Sequence, residues 1–270
     1  MSRFATTVAA ALLAIAIGAS PAAADTIATT SAFLPAVNIT GATGVFRTDV
    51  WIFNPEPTLQ NDVVLYFTPA GVDGTKLEGL RIDPPLAPRE SVTLTDILRN
   101  YFKVTGTFGL LEVRGKYPIL VTSNTYNVAG ATPGTYGQYS PGQPYRNALG
   151  FDDSIYGNLY LTGLTNDPAL RTNAVLMNPS DARLEAGVEL VDAAGNVYGT
   201  RIHEVEPYSL KQLNDVFGSE FRSFSPPEGG PYRLNVYVNL GNGARILTYA
   251  TVTDTRTGDP YLIPGQAMRP

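Results

Sequence analysis

His203 is the single histidine of the chain, and it stands among acids and a cation in Arg201-Ile202-His203-Glu204-Val205-Glu206. An imidazole beside a carboxylate has the makings of a general base, but such a base also needs a positioned nucleophile and an oxyanion site. No Gly-x-Ser-x-Gly turn occurs in the sequence, and there is no cysteine. Thiolate nucleophiles, disulfides, Cys-ligated zinc, iron–sulfur clusters and sites built on two histidines are thereby excluded. The acidic clusters are Asp152-Asp153, Asp254 to Asp259, and Glu204 with Glu206. None has the density of oxygen ligands that calcium takes, and Asp254-Thr255-Arg256-Thr257-Gly258-Asp259 reads as a polar hairpin turn. No catalytic, cofactor-binding or metal-binding residue is expected, and the chain reads as a non-enzyme.

Two groups of residues could bind something. Arg47-Thr48-Asp49 and Arg171-Thr172-Asn173 pair a guanidinium with polar neighbours that could clamp an anion or a sugar. Their recurrence at the start of the same strand favours a structural duty instead, bonding nearby carbonyls and turns. The second group is Tyr126, Tyr136, Tyr139, Tyr145, Tyr156 and Tyr160, six of the fifteen tyrosines within 35 residues. Gly130, Gly134, Gly137, Gly142 and Gly150 punctuate that stretch, and its only charges are Arg146, Asp152 and Asp153. Rings on such a loop can stack on sugars or anchor a protein partner. Alternatively they pack an interface between two folded units, and then Tyr136 and Tyr139 should be buried.

The elements that position these residues come from an internal repeat. Phe46-Arg47-Thr48-Asp49-Val50-Trp51-Ile52-Phe53-Asn54-Pro55 stands against Leu170-Arg171-Thr172-Asn173-Ala174-Val175-Leu176-Met177-Asn178-Pro179. Upstream, Phe33 to Val37 answers Tyr160 to Leu164. Downstream, Val63 to Thr68 answers Ala186 to Val191, Asp96 answers Asp215, Leu110 to Val113 answers Leu234 to Tyr237, and Ile119 answers Ile246. Val63, Leu65 and Phe67 alternate with Val64, Tyr66 and Thr68, the period of a strand buried more on one face. Asp192 to Asn196 reads as a hairpin turn, and each Asn-Pro ends a strand. Trp51 and Val175 are expected to point into their cores. The one helical piece of each copy is short: in copy one it runs from Thr95 to Phe102 with Thr95 as cap and Ile97, Leu98, Tyr101 and Phe102 on one face, and Asn214 takes the capping place in copy two.

Met1-Ser2-Arg3, the apolar run Val8 to Ile17, and Ala22-Ala23-Ala24 have the order of a cleavable signal peptide over residues 1–24. Without it the formal charge is 18 − 24 = −6, which disfavours nucleic acid and anionic membrane surfaces as partners. A periplasmic or extracellular location follows, with no membrane span after processing. The domains are expected at 25–150 and 151–270.

The pattern Phe33-Leu34-Pro35-Ala36-Val37, then Phe46 to Pro55, then Tyr126-Asn127 with Gly134-Thr135-Tyr136-Gly137-Gln138-Tyr139-Ser140-Pro141-Gly142 resembles a tandem immunoglobulin-like module of secreted bacterial proteins. The expected fold is therefore all-β, with two tandem immunoglobulin-like β-sandwich domains and one short helical turn in each. Copy two departs from the pattern at Asn173 and Val175, which replace Asp49 and Trp51. The resemblance implies this fold and an exported setting; the chain is read as an exported structural and interaction protein of the cell surface or extracellular space, with a protein or polysaccharide surface as partner. Two alternatives stand beside it: carbohydrate binding through the tyrosine-rich 126–160 region, and a subunit that donates Asp25 to Ala32 to a neighbour's sheet edge.

Overall fold

A computed structural model describes residues 28–41, 44–128, 136–151 and 157–268. The leader expected over 1–24 lies outside them, as do Asp152, Asp153 and Tyr156. The chain is all-β. The first half contains β1 (Thr29–Gly41), β2 (Gly44–Phe53), β3 (Val63–Pro69), β4 (Leu80–Arg81), β5 (Ser91–Leu94), β6 (Thr107–Asn127), β7 (Tyr136–Pro141) and β8 (Gln143–Pro144). The second contains β9 (Leu149–Gly150), β10 (Leu159–Asn166), β11 (Leu170–Asn178), β12 (Leu184–Val191), β13 (Val197–Val205), β14 (Ser209–Leu213), β15 (Gly229–Leu240), β16 (Arg245–Asp254), β17 (Pro260–Pro264) and β18 (Gln266–Ala267).

Strand pairing repeats along with the sequence. In the first unit β6 passes between β3 and β1 with its first half and between β2 and β7 with its second. In the second unit those two roles fall to separate strands, giving the sheets β13-β12-β15-β10-β18 and β14-β11-β16-β17. Leu34 pairs with Leu111 and Leu161 pairs with Leu234, so the counterpart of Leu234 is Leu111. The expected match to Leu110 is off by one residue. Leu110 faces the other way, as period-two side chains must.

Alternation fills each core. Val63, Leu65 and Phe67 are buried between half-exposed Val64 and Tyr66, and they meet Leu34, Val50, Ile52, Leu111 and Val121. The second core gathers Leu161, Ala174, Leu176, Val188, Leu234 and Phe221. Each Asn-Pro corner is built on a fully buried asparagine. Asn54 Nδ2 donates to the carbonyls of Leu59, Leu86 and Ala87 at 2.9, 3.2 and 2.9 Å, and its Oδ1 accepts from Glu56 N. Asn178 repeats this with the carbonyls of Ala182 and Val205 and with Ser180 N. The helical pieces begin one residue later than expected, at Asp96 before the α-helix Ile97–Asn100 and at Asp215 before a π-helical turn over Val216–Glu220. Both aspartates have positive φ, 41° and 52°, which short polar side chains tolerate better than threonine does.

Trp51 corrects the expected strand facing. Val50 and Ile52 are fully buried, whereas Trp51 lies on the outer face and is 37% exposed. Val175 faces outward from its own sheet in the same way, yet it is buried, because the first unit covers that face. Phe33 and Leu110 from the outside of the first unit meet Val175, Met177, Leu210, Leu247 and Tyr249 from the outside of the second. Loop contacts flank this patch: Gly74 N donates to Pro207 O at 2.9 Å, and Ser209 Oγ donates to Pro69 O at 3.2 Å. The covering face belongs to β1 and β6, the covered face to β14, β11 and β16, so the two units meet through non-equivalent surfaces. Leu149 and Gly150 already pair with β16 of the second unit.

Candidate functional site

The repeated Arg-Thr-Asp/Asn motif does structural work. Asp49 Oδ1 accepts from Asp96 N at 2.7 Å, and Asn173 Oδ1 accepts from Asp215 N at 2.9 Å. An amide oxygen replaces a carboxylate there without loss of the bond, which is why Asn serves in copy two. Arg47 Nε sits 3.2 Å from Asp96 Oδ2, and its Nη1 donates to the carbonyls of Ile39 and Phe46. Thr48 Oγ1 accepts from Val37 N and bonds Thr125 Oγ1. Copy two does not repeat this pair of bonds: Thr172 stands opposite Val252, and its buried hydroxyl lacks a partner.

Of the described tyrosine side chains, Tyr126 and Tyr139 share one face of the first unit, while Tyr145 and Tyr160 lie elsewhere. Tyr126 is half-buried and donates to Asp49 Oδ1 at 3.1 Å; burial, then the Asp49 charge, push its pKa up to about 12, so it remains a donor. Tyr139 is 54% exposed, against the expected burial. The side chain of Tyr136 lies outside the described residues, so the same expectation is open there. Tyr145 is 40% exposed, with its ring centroid 6.3 Å from that of Phe33 at the rim of the interface. Tyr160 is half-buried on β10, opposite Asn235. Tight turning onto the first unit is real at Gly142, where an added Cβ would come within 3.0 Å of Ala32 Cβ and Val121 O.

Pair register joins Trp51 to Tyr139 on one open face. Trp51 stands opposite Thr93 and Thr122, Thr122 opposite Pro141, and Asn124 opposite both Asp49 and Tyr139. The result is two exposed rings among Thr93, Thr122, Asn124 and Asp49 on a rigid sheet. Sheet spacing puts their Cα atoms about 12 Å apart. Sequence reasoning missed Trp51 as a surface residue because Val50-Trp51-Ile52-Phe53 is apolar without interruption. Where the facing sheets of the two units diverge they leave a second feature, a cleft of about 780 Å³.

His203 is in no catalytic setting. Glu220 Oε2 lies 3.6 Å from its Nε2, outside hydrogen-bond reach, and burial together with the Lys211 and Arg201 charges brings its pKa down to about 4. The unfolded chain takes up this proton near the ordinary 6.5, so stability should be full above that pH and decline as pH falls towards about 4. Replacing His203 by Gln should flatten that decline in urea midpoints measured from pH 7 to pH 4. An unchanged slope would assign the effect elsewhere.

Asp254 closes the β16–β17 hairpin. It accepts from Arg256 N and Thr257 N, with Arg256 Nη2 at 2.7 Å from its other oxygen, as the polar-turn reading expects. Among the described residues no three His, Asp or Glu side chains converge on a possible metal position, and no helix is long and apolar enough to cross a membrane. Of Asp25 to Ala32, offered above as a donor strand, the residues Thr29, Ser31 and Ala32 pair with β6, and Ala32 also with β8, of their own chain, while Asp25 to Ile27 lie outside the described residues.

No protein-family model matches the chain, and no curated protein does. Among solved structures, it aligns with a glycosyl hydrolase family 2 member from Bacteroides cellulosilyticus at 9% identity and a TM-score of 0.15, over 88% of this chain and 28% of that one. A second structure of such a member aligns at 8% identity and a TM-score of 0.15, over 88% and 26%. The chain thus spans about a quarter of the length of those hydrolases, and a likeness of this degree assigns neither fold nor activity.

Proposed function

We propose that the chain is an exported, non-enzymatic structural and interaction protein built from two tandem immunoglobulin-like β-sandwiches, with the first unit presenting the partner-binding face. The order of basic, apolar and small residues in 1–24 supports export, and the shared pairing pattern of the two halves supports the tandem sandwich. The observation that carries the binding reading is the pair Trp51 and Tyr139. Two large rings stay open on a sheet face whose counterpart in the second unit is buried, and open aromatic surface of this kind marks interaction sites.

Carbohydrate binding is the second reading, favoured by the exposure of Tyr139 and by the hydroxyl and amide groups between the rings. With their Cα atoms about 12 Å apart, a ligand that engages both must span more than one sugar residue. Arrays of polysaccharides and cell-wall fractions, probed with the chain lacking residues 1–24, test both readings. Trp51→Ala and Tyr139→Ala should each weaken capture by about 0.5 to 1.5 kcal/mol, while Trp51→Ala lowers stability by less than about 2 kcal/mol, below the 3 to 5 of a fully buried aromatic. Capture indifferent to both substitutions would remove this face from the account.

A further inference from the structure

We infer that the cleft between the two units is a second site, and that it takes a short acidic oligosaccharide whose carboxylate is held by Arg171. The shape comes from the fold. The outer face of β1 and β6 and the outer face of β14, β11 and β16 touch at the Phe33–Met177 end and diverge beyond it, and Gln138 of β7 forms a third wall. A volume of about 780 Å³ lies within the usual range of ligand pockets, roughly 300 to 1,000 Å³.

Chemistry divides the walls. Pro35, Val37 and Phe108 give the first unit's side an apolar strip beside Thr125 and Ser140, and Arg171, Gln212 and Asn214 give the second unit's side polar groups beside Val175 and Tyr249. Two of these groups have capacity that the fold does not use. Arg47, the repeat counterpart of Arg171, is spent on Asp96 and two carbonyls. In copy two the aspartate at that place, Asp215, instead accepts from Gly218 N at 3.0 Å, and among the described residues no carboxylate or carbonyl holds Arg171. An arginine kept at the repeated position thus faces the cleft without the structural duty it has in copy one. Gln138 is the other. Its Oε1 accepts from Thr251 Oγ1 at 3.0 Å while its buried Nε2 has no partner, and turning the amide over would only exchange which end is left. A buried amide group in that state lacks a partner that a ligand hydroxyl in the cleft would supply.

These demands select among ligands. A hydrocarbon would bury Arg171 and the Gln138 amide unpaired. A bare anion would leave Pro35, Val37 and Phe108 uncovered. A uronic acid ring offers a carboxylate for the planar fork of Arg171, hydroxyls for Gln138, Gln212 and Asn214, and a C–H face for the apolar wall.

The test is calorimetric titration of the chain lacking residues 1–24 with galacturonate trimers, with galactose trimers of the same length and trialanine as controls. Binding of the acidic saccharide alone is expected. Arg171→Ala should weaken it at least tenfold and Arg171→Lys less. Gln138→Leu should weaken it severalfold, and Trp51→Ala should leave it unchanged. Arg171 is exposed, so its alanine variant should keep the wild-type melting temperature. The inference is overturned by absence of binding at millimolar saccharide, by equal binding of the neutral trimer or of trialanine, or by indifference to Arg171→Ala. Loss of binding in Trp51→Ala would also overturn it and would move the saccharide to the open face, leaving the reading of that face intact.

Discussion

Leu110→Asp should drive the two units apart. Leu110 is 1% exposed and packs in the apolar contact with Val175, Met177, Leu247 and Tyr249. Burying an unpaired charge costs several kcal/mol, a penalty the interface escapes by opening. Each unit has its own core, so both should stay folded. Small-angle scattering should show an increased radius of gyration, and calorimetry should resolve two transitions where the wild type is expected to show coupled ones. A compact variant with a single transition would mean that this contact does not hold the units together. Phe33→Ala is the milder form of the same test, with a loss of about 3 to 5 kcal/mol as for other fully buried phenylalanines.

The corner asparagines should give the next largest effects. Asn54→Ala removes the partner of three carbonyls, and Asn178→Ala removes that of two. Unsatisfied buried acceptors cost about 1 to 3 kcal/mol each, partly recovered by water where the loop can open, so a loss of about 2 to 4 kcal/mol is expected for either change. Asn54→Asp should be worse than alanine, because it turns a carboxylate oxygen towards carbonyl oxygens. Urea unfolding of the variants decides this, and an aspartate variant as stable as the wild type would show that the amide is not oriented as described.

Both corners were legible in the sequence, since Asn-Pro at the end of a repeated strand has a local mechanism. The alternation of Val63, Leu65 and Phe67 and the polar turn at Asp254 were legible for the same reason. What escaped was every feature that depends on which side of a strand is covered. Val50 to Phe53 offers four apolar side chains in a row, and periodicity cannot choose between the faces. Leu110 and Leu111 are the same residue type, so the repeat could be aligned one place out, although one fills a core and the other an interface. The difference between Arg47 and Arg171 was hidden too, because it rests on Asp215 finding a partner in Gly218. Tyr139 was expected inside from tyrosine density and nearby glycines, and composition says nothing about the parity that turns it outward.

The long β6 strand has a consequence for survival outside a cell, where the chain is proposed to work. In the first unit the chain turns its corner within one continuous strand. Asn61 stitches that corner, donating to Tyr117 O at 2.9 Å and accepting from Tyr117 N at 3.0 Å. In the second unit the same passage is cut by a turn between Leu240 and Arg245, where Gly243 takes φ +72°. A protease needs several residues of backbone free to enter its groove in extended form. The first corner is tied down by Lys116 N on Asp62 O and by Asn61 on Tyr117, whereas the second is an exposed turn. Of these two corners, the one between Leu240 and Arg245 should be cut first in limited proteolysis.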